Sequence, residues 1–470
     1  MEKVGVLVVS YGARAAAMID AFKRSANYDV RLYVADKQAN PFNMEKAEKH
    51  VVIPDLNVEE ICSFAKKHEA EIDFGIVGPE KPIIQGVRDK IEAETRIPMI
   101  CPTREYAIEA SKVAQRRLFE KFAPEVNPRF KIFDPKDYTN TEEVRKELFE
   151  WLDELNNQVA VKPDVPAAGK GVGVWGDHFT TREQLFEHFM ANFRHGAVIV
   201  EEKIEGEESS FQAFCDGKHL VPLPETRDYK RAFDGDKGPN TGGMGAYKDK
   251  GEKLPFMTHQ DREKEIEIVN RIFRKWTGST GNTALRGIPF YVAFIHTGKQ
   301  PKILENNSRP GDPEIQAILP VLKEDFVDVC YRILDGNLTR IETEQQAAVV
   351  TYKVPPNYGG YMKAFPDRVS KAEIGTPVDL TEAYRLAEKY GTRLRVYPAA
   401  MEKRNGETYA LKSRTVCTVG VGETIEEARR ISIEGIRAIK GGALWYRTDI
   451  ASKEHVAKSI RHMQVLRGSP

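Results

Sequence analysis

The chain begins with a continuous apolar run at residues 4–9, the length of a buried strand and far short of a membrane span. A helix-like stretch follows at 15–23, then a strand at 30–35, a helix at 58–67, a strand at 74–77 and a helix at 83–91. Strands alternating with helices predict a parallel sheet covered on both faces. Its turns at 10–14 and 78–80 fall where open sheets of this kind bind ligands. The spacing next predicts a helix over 106–122, and a polar segment holding Pro124, Pro128 and Pro135 reads as a boundary. Strands at 159–162 and 172–175 flank a glycine-rich loop, and a helix at 181–192 leads to a strand at 197–201. Residues 209–221 alternate as a half-buried strand, and 261–277 reads as a helix. Strands at 289–296 and 301–305 precede short helices at 314–319 and 325–334. From about residue 347 the pattern gives strands plus one clear helix at 424–440.

With 470 residues the chain is long enough for several domains. Lys plus Arg and Asp plus Glu both number 70, a balance that argues against a nucleic-acid or anionic-membrane partner. Cys62, Cys101, Cys215, Cys330 and Cys417 are scattered without a Cys-x-x-Cys pair, which indicates neither a zinc site nor a disulfide framework. The first residues carry too short an apolar run for a signal peptide, so a cytoplasmic protein is expected, as a monomer or weak homodimer.

Residues 228–247 are the most informative stretch, with acids, bases and five glycines in twenty positions and hardly any apolar periodicity. Such a segment is either a flexible surface loop or one held in place at a site, and its strict order of turn residues favours a site. In Ala167-Ala168-Gly169-Lys170-Gly171-Val172-Gly173, glycines around a lysine suit a phosphate cradle. A plain hairpin turn with Lys162 snorkelling from its strand is the competing reading. The acidic run 197–208 offers either a strand and linker for an adenine and its ribose or a solvated hairpin. Glu305 and Asn307 stand two apart on one strand face, a hard oxygen pair suited to magnesium completed by water and phosphates. Arg309 follows on that face, ready to fork onto a phosphate or a carboxylate, before Pro310 and Gly311 break the strand. His296, near that face, reads as a satisfied structural histidine, and no Ser-His-Asp or Cys-His constellation can be assembled by spacing.

In this order the motifs resemble the glycinamide ribonucleotide synthetase (phosphoribosylamine–glycine ligase) family of the ATP-grasp superfamily. Gly78-Pro79-Glu80, Pro102-Thr103, Glu109-Ala110-Ser111-Lys112, Val161-Lys162, 167–172, 228–247, Glu305, Asn307, Arg309, 311–314, 414–422 and Tyr446-Arg447-Thr448-Asp449-Ile450 carry the resemblance, with Pro310 standing where the family usually has an aromatic. It implies an α/β and α+β multidomain protein. Residues 1–104 would form an N-terminal parallel-sheet domain, 105–335 a two-lobed ATP-grasp domain with a flap lobe at about 125–203, and 336–470 a small mixed C-terminal domain. The implied reaction uses ATP with Mg2+ or Mn2+ to phosphorylate the glycine carboxylate, after which the amine of 5-phosphoribosylamine attacks the acyl phosphate. Lys112, Lys162, Lys170, Glu201, Ile204 and Glu208 would hold the nucleotide, and Glu305 and Asn307 the metal. Gly12, Arg14, Gly78, Pro79, Glu80, Asp228, Lys230, Asn240, Thr241, Arg309, Gly311 and Asp312 would hold the substrates, with Arg309, Lys170 and Asp228 catalytic. The first turn, Ser10-Tyr11-Gly12-Ala13-Arg14-Ala15-Ala16-Ala17, departs from the family by losing a Glu-His pair. A different amine acceptor therefore stays open, as does a catalytically silent nucleotide-binding paralogue.

Overall fold

The structure, a computed structural model, describes residues 1–164 and 171–468. The first sheet is fully parallel, in the order Lys49–Val52, Tyr28–Asp36, Glu2–Val9, Phe74–Val77, Met99–Ile100. The chain builds outward from Glu2–Val9 on one side and then returns to pair Phe74–Val77 on the other. The turns after these two strands therefore flank the switch point, where strand ends leave a crevice. The helix after the first strand runs Gly12–Lys23, and its run of alanines is buried on all sides because the C-terminal part packs against the face that the sheet leaves free. The expected helix at 83–91 is two, Glu80–Ile84 and Val87–Glu94, since Gly86 between them takes φ 84° and ends the first. The expected start at 106 is likewise late: Ser111 caps a helix spanning Lys112–Phe122, and single turns of tighter helix precede it.

Residues 130–202 form an antiparallel sheet ordered Phe130–Phe133, Val198–Glu202, Val159–Pro163, Gly173–Val174, covered by helices Thr141–Glu154 and Arg182–Phe193. A second antiparallel sheet is ordered Leu220–Pro222, Glu207–Cys215, Gly287–His296, Lys302–Asn307, backed by helices Lys112–Phe122 and His259–Thr277. The predicted single strand at 209–221 is thus a hairpin, turned at Asp216-Gly217-Lys218.

The third sheet is ordered Arg227–Asp228, Gly245–Lys248, Ala347–Lys353, Val416–Gly422, Leu394–Pro398. Both ends of the polar stretch 228–247 are therefore strands in a sheet built mainly by the C-terminal part. Helix Ile425–Ala438 lies on that sheet. Beyond the one helix expected after 347, the structure adds Thr381–Tyr390 and Lys453–Leu466. The last was invisible to periodicity because it buries only His455, Ser459 and Met463, a one-residue-wide stripe in which two members are polar.

Helix Ile425–Ala438 touches its sheet without side-chain spacing at Gly420, where an added Cβ would sit 1.9 Å from the Ala428 carbonyl oxygen. Backbone on both sides leaves nothing to yield. Gly420→Ala should therefore destabilise the protein by about 2 kcal/mol or more, read as a lowered denaturant midpoint at unchanged slope.

Candidate active site

The strand Lys302–Asn307 ends at the meeting point of the three larger units, and its last residues gather charge. Glu305 is ionised below the usual carboxylate range: burial opposes its charge, but Lys112, Lys230, Lys162 and Arg309 outweigh it. Four cations together outweigh burial at this one carboxylate, and cations so gathered suit a polyphosphate. Lys112 opens its helix, and its backbone N–H donates to the Asp164 carbonyl at 3.0 Å, tying that helix to the strand that carries Lys162. Lys162 is only slightly exposed, and desolvation drives its ammonium toward neutrality, while Glu201 holds the charge in an ion pair. Lys230 pairs with Glu208 at 2.8 Å, beside Asp228, whose carboxyl burial pushes up.

Several expected contacts are occupied from within the chain. The Glu201 carboxylate, 1% exposed, accepts from Arg116 Nε at 2.8 Å and Nη2 at 3.0 Å besides pairing with Lys162, so its side chain is a structural brace and only its backbone groups are left for an adenine. Glu208, expected on the nucleotide, has its carboxylate on Lys230. The solvated-hairpin reading of 197–208 fails at Glu201 and Glu207, both buried against arginines. Arg309 was open to either a phosphate or a carboxylate, and its fork closes on two carboxylates, Glu80 at 3.1 Å and Glu109 at 3.2 Å, with the guanidinium over the Tyr291 ring. Burial raises Glu109 to about 7 even so. Asp312 is held by Arg414 at 3.0 Å, Tyr352 at 2.9 Å and Gln316 at 2.8 Å. Ile204 is half-buried in the link between Val198–Glu202 and Glu207–Cys215. Lys170 lies outside the described residues.

The N-terminal turns meet the same strand end. Arg14 donates to the Pro310 carbonyl at 2.9 Å, and its Nε and Ser10 Oγ find no partner among the described residues. Gly12 begins its helix at φ 68°, and a Cβ on Gly78 would lie 2.2 Å from Ser10 Oγ, so the two turns can close together only with glycine there. Pro79 caps the short helix that carries Glu80. Gly311 donates its N–H to Gln212 Oε1 at 2.7 Å.

The stretch 228–247 is tied down by contacts from within the chain. Arg447, 1% exposed, reaches Asp449 at 2.7 and 2.8 Å, Asp236 at 3.1 Å and the Arg231 carbonyl at 2.9 Å. His455 binds Asp236 at 2.8 Å, Thr448 N donates to Asp234 at 2.8 Å, and Arg414 holds the Gly242 and Gly243 carbonyls. Thr241 Oγ1 donates to the Lys230 carbonyl at 2.9 Å, and Asn240 pairs with Arg231 across the hairpin, so these two shape the loop around Lys230. His296 is the structural histidine expected, bonded to Glu265 at 2.9 Å and Ser209 at 3.0 Å. Sequence reasoning gives no role to Arg116, Glu109, Tyr291 or Arg447, and none of its own to Glu314 beyond the motif 311–314. Arg116 stands four residues after Lys112 on one helix face, a spacing that was readable; Tyr291 lies in a strand of ten buried residues and carried no signal.

No cluster of three or more His, Cys, Asp or Glu side chains arranged to hold a metal occurs among the described residues. A cation here would rest on the charged Glu305 and the Asn307 amide, with phosphate and water oxygens completing its shell, which is how magnesium is held beside nucleotides. The donor set fits.

Two lobes around a cationic strand end, with a parallel-sheet domain docked alongside, define the ATP-grasp class. Residues 4–109 match the family model "Phosphoribosylglycinamide synthetase, N domain" and 120–315 match "Phosphoribosylglycinamide synthetase, ATP-grasp (A) domain". The chain is 35% identical over 466 residues to the phosphoribosylamine–glycine ligase of Methanocella arvoryzae, covering 98% of this chain and 100% of that one. It is 34% identical to that of Thermococcus kodakarensis, covering 98% and 99%. A crystal structure of phosphoribosylamine–glycine ligase from Thermotoga maritima superposes with a TM-score of 0.72 at 24% identity, over 95% of this chain and 100% of that one. An ADP complex of N5-carboxyaminoimidazole ribonucleotide synthetase gives 0.60 at 12% identity, over 93% and 97%. The chain belongs to the phosphoribosylamine–glycine ligase family.

From its buried position Arg447 ties Asp236 and the Arg231 carbonyl of the polar stretch to Asp449 of the C-terminal part. Arg447→Ala should cost about 3 kcal/mol and speed amide hydrogen exchange across residues 231–240 well beyond the rest of the protein; uniform exchange would show that the stretch orders itself.

Proposed function

We propose that the protein is an ATP-dependent ligase that joins glycine to 5-phosphoribosylamine, giving glycinamide ribonucleotide, ADP and phosphate through a glycyl phosphate. The observation that carries this reading is the convergence of Lys112, Lys162, Lys230 and Arg309 on Glu305. Lys112 and Lys162 neutralise the nucleotide phosphates, and Lys170 does so from the flap loop. Lys230, fixed by Glu208, and Asp228 face the glycine and its transferring phosphoryl group. The amide developing at the acyl carbon forms under the N-terminal turns, where Ser10 Oγ and Arg14 Nε are the polar atoms left to a ligand. Magnesium, when bound at Glu305 and Asn307, neutralises charge on the phosphoryl group. Arg309 sets the potential at the strand end and orders Glu80 and Glu109. Closure of residues 125–203 over the cleft excludes water from the acyl phosphate. Division into 1–104, 105–335 and 336–470 belongs to this reading, with the addition that 227–248 lends strands to the C-terminal sheet. We place the enzyme in the cytoplasm, as a monomer or weak homodimer.

A different amine is the second reading, favoured by one observation. Ala15 and Ala16 are fully buried, so the first turn presents no acid–imidazole pair to an acceptor.

ADP release should require glycine and a divalent cation and be stimulated by phosphoribosylamine over other amines. Preference for another amine, or no rescue of a purine auxotroph, would favour the second reading. Glu305→Ala and Lys170→Ala should each lower turnover by about a thousandfold or more in folded protein, and near wild-type rates in either would overturn the site.

A further inference from the structure

Glu314 opens the short helix Glu314–Ile318 just past the Arg309-Pro310-Gly311-Asp312-Pro313 turn, and it is 1% exposed. Its Oε1 accepts from the Tyr291 hydroxyl and, at 3.4 Å, from Ser210 Oγ. Its Oε2 finds no hydrogen-bond partner among the described residues, and neither does Gln212 Nε2. Both flank Gly311, whose N–H is taken by Gln212 Oε1 and whose missing side chain makes room, since a Cβ there would lie 2.6 Å from Glu314 Oε2. A buried acceptor and a buried donor are thus open at one glycine.

The position of this glycine gives the pair a use. Arg14 bonds the Pro310 carbonyl and Arg309 pairs with Glu80, so the turn is pinned between the N-terminal loops and the charged strand end. Tyr291, which holds Glu314, lies under the Arg309 guanidinium and opposite Asn307 in the strand register. On the ligase reading, an amine held at the N-terminal turns would approach the activated carboxylate past this turn.

We propose that Glu314 is the proton acceptor of the amide-forming step, a role that rests on the ligase reading above. The amine nitrogen attacks the acyl carbon of glycyl phosphate, a C–N bond forms, and the C–O bond to phosphate breaks with its electron pair leaving on phosphate. The proton lost by nitrogen passes to the Glu314 carboxylate and then to solvent. The Tyr291 hydroxyl holds the carboxylate in place, and Gln212 Nε2 is the donor available to the substrate.

Burial and the neighbouring Asp228 raise Glu314 to about 7, against the Tyr291 hydrogen bond and Arg309, which lower it. Asp228 in turn faces Lys230, Glu208 and Arg227. A carboxyl raised in this way is charged, and able to take a proton, only as pH rises through that value.

The test compares wild type with Glu314→Gln, which keeps an acceptor for Tyr291, and with Tyr291→Phe. Two reactions are followed from pH 6 to 9: amide formation with phosphoribosylamine, and trapping of glycyl phosphate by hydroxylamine, a nucleophile less dependent on a base. Amide formation in Glu314→Gln should fall by about a hundredfold or more and lose the acid limb of its pH profile, while hydroxamate formation falls by much less. Tyr291→Phe should keep the acid limb but at a shifted pH. Equal loss in both reactions, or an unchanged acid limb in Glu314→Gln, would overturn the assignment alone. Wild type that forms no glycine hydroxamate would instead overturn the ligase reading and the assignment with it.

Discussion

The constraint on which this molecule rests is the concentration of positive charge at the end of one apolar strand. Lys112, Lys162, Lys230 and Arg309 come from different elements, and carboxylates from within the chain hold the last three there. Removing like charges from water and placing them side by side is costly unless each has a counter-charge. Glu201 braces Lys162, Glu208 braces Lys230, and Glu80 with Glu109 brace Arg309. The braces leave the ammonium groups positioned without cancelling the field that reaches Glu305. A triphosphate entering such a cleft finds charges already ordered.

The architecture follows from keeping those braces in register. The strand carrying Glu201 and Lys162's strand are neighbours in one sheet, and Arg116 crosses from the other lobe to join them, also bonding the Ile303 carbonyl at 2.8 Å and the Leu304 carbonyl at 2.7 Å. One guanidinium therefore links both lobes at the base of the cleft. The C-terminal part performs the same service for the other substrate side. It builds the sheet that receives 227–228 and 245–248, and Arg447 with Arg414 fixes the stretch between.

Much of this was legible in the chain. The alternating strands and helices of the first hundred residues and the helix at 424–440 follow from period and spacing, and the structure has them, with a break at Gly86, small shifts at element ends, and the short elements Pro41–Lys46, Lys49–Val52 and Met99–Ile100 added. The site was legible as a set of polar positions but not as a set of contacts. At Glu201 and Glu208 sequence shows a carboxylate and not its partner within the chain, and those partners stand 22 to 85 positions away. The order of 228–247 was hidden for the same reason: its apolar content is low, and what holds it is an arginine more than two hundred positions on. Glycines that only a close approach explains, such as Gly243 with its φ of 107° against Pro313, look like loop residues until the facing proline ring is seen.

Diffraction from crystals soaked with ADP and Mn2+ would test the central claim most directly. The cleft should show an anomalous manganese peak between Glu305 and Asn307, with ADP phosphates among Lys112, Lys162 and Lys230. A manganese peak elsewhere, or a nucleotide bound away from those ammonium groups, would contradict the account.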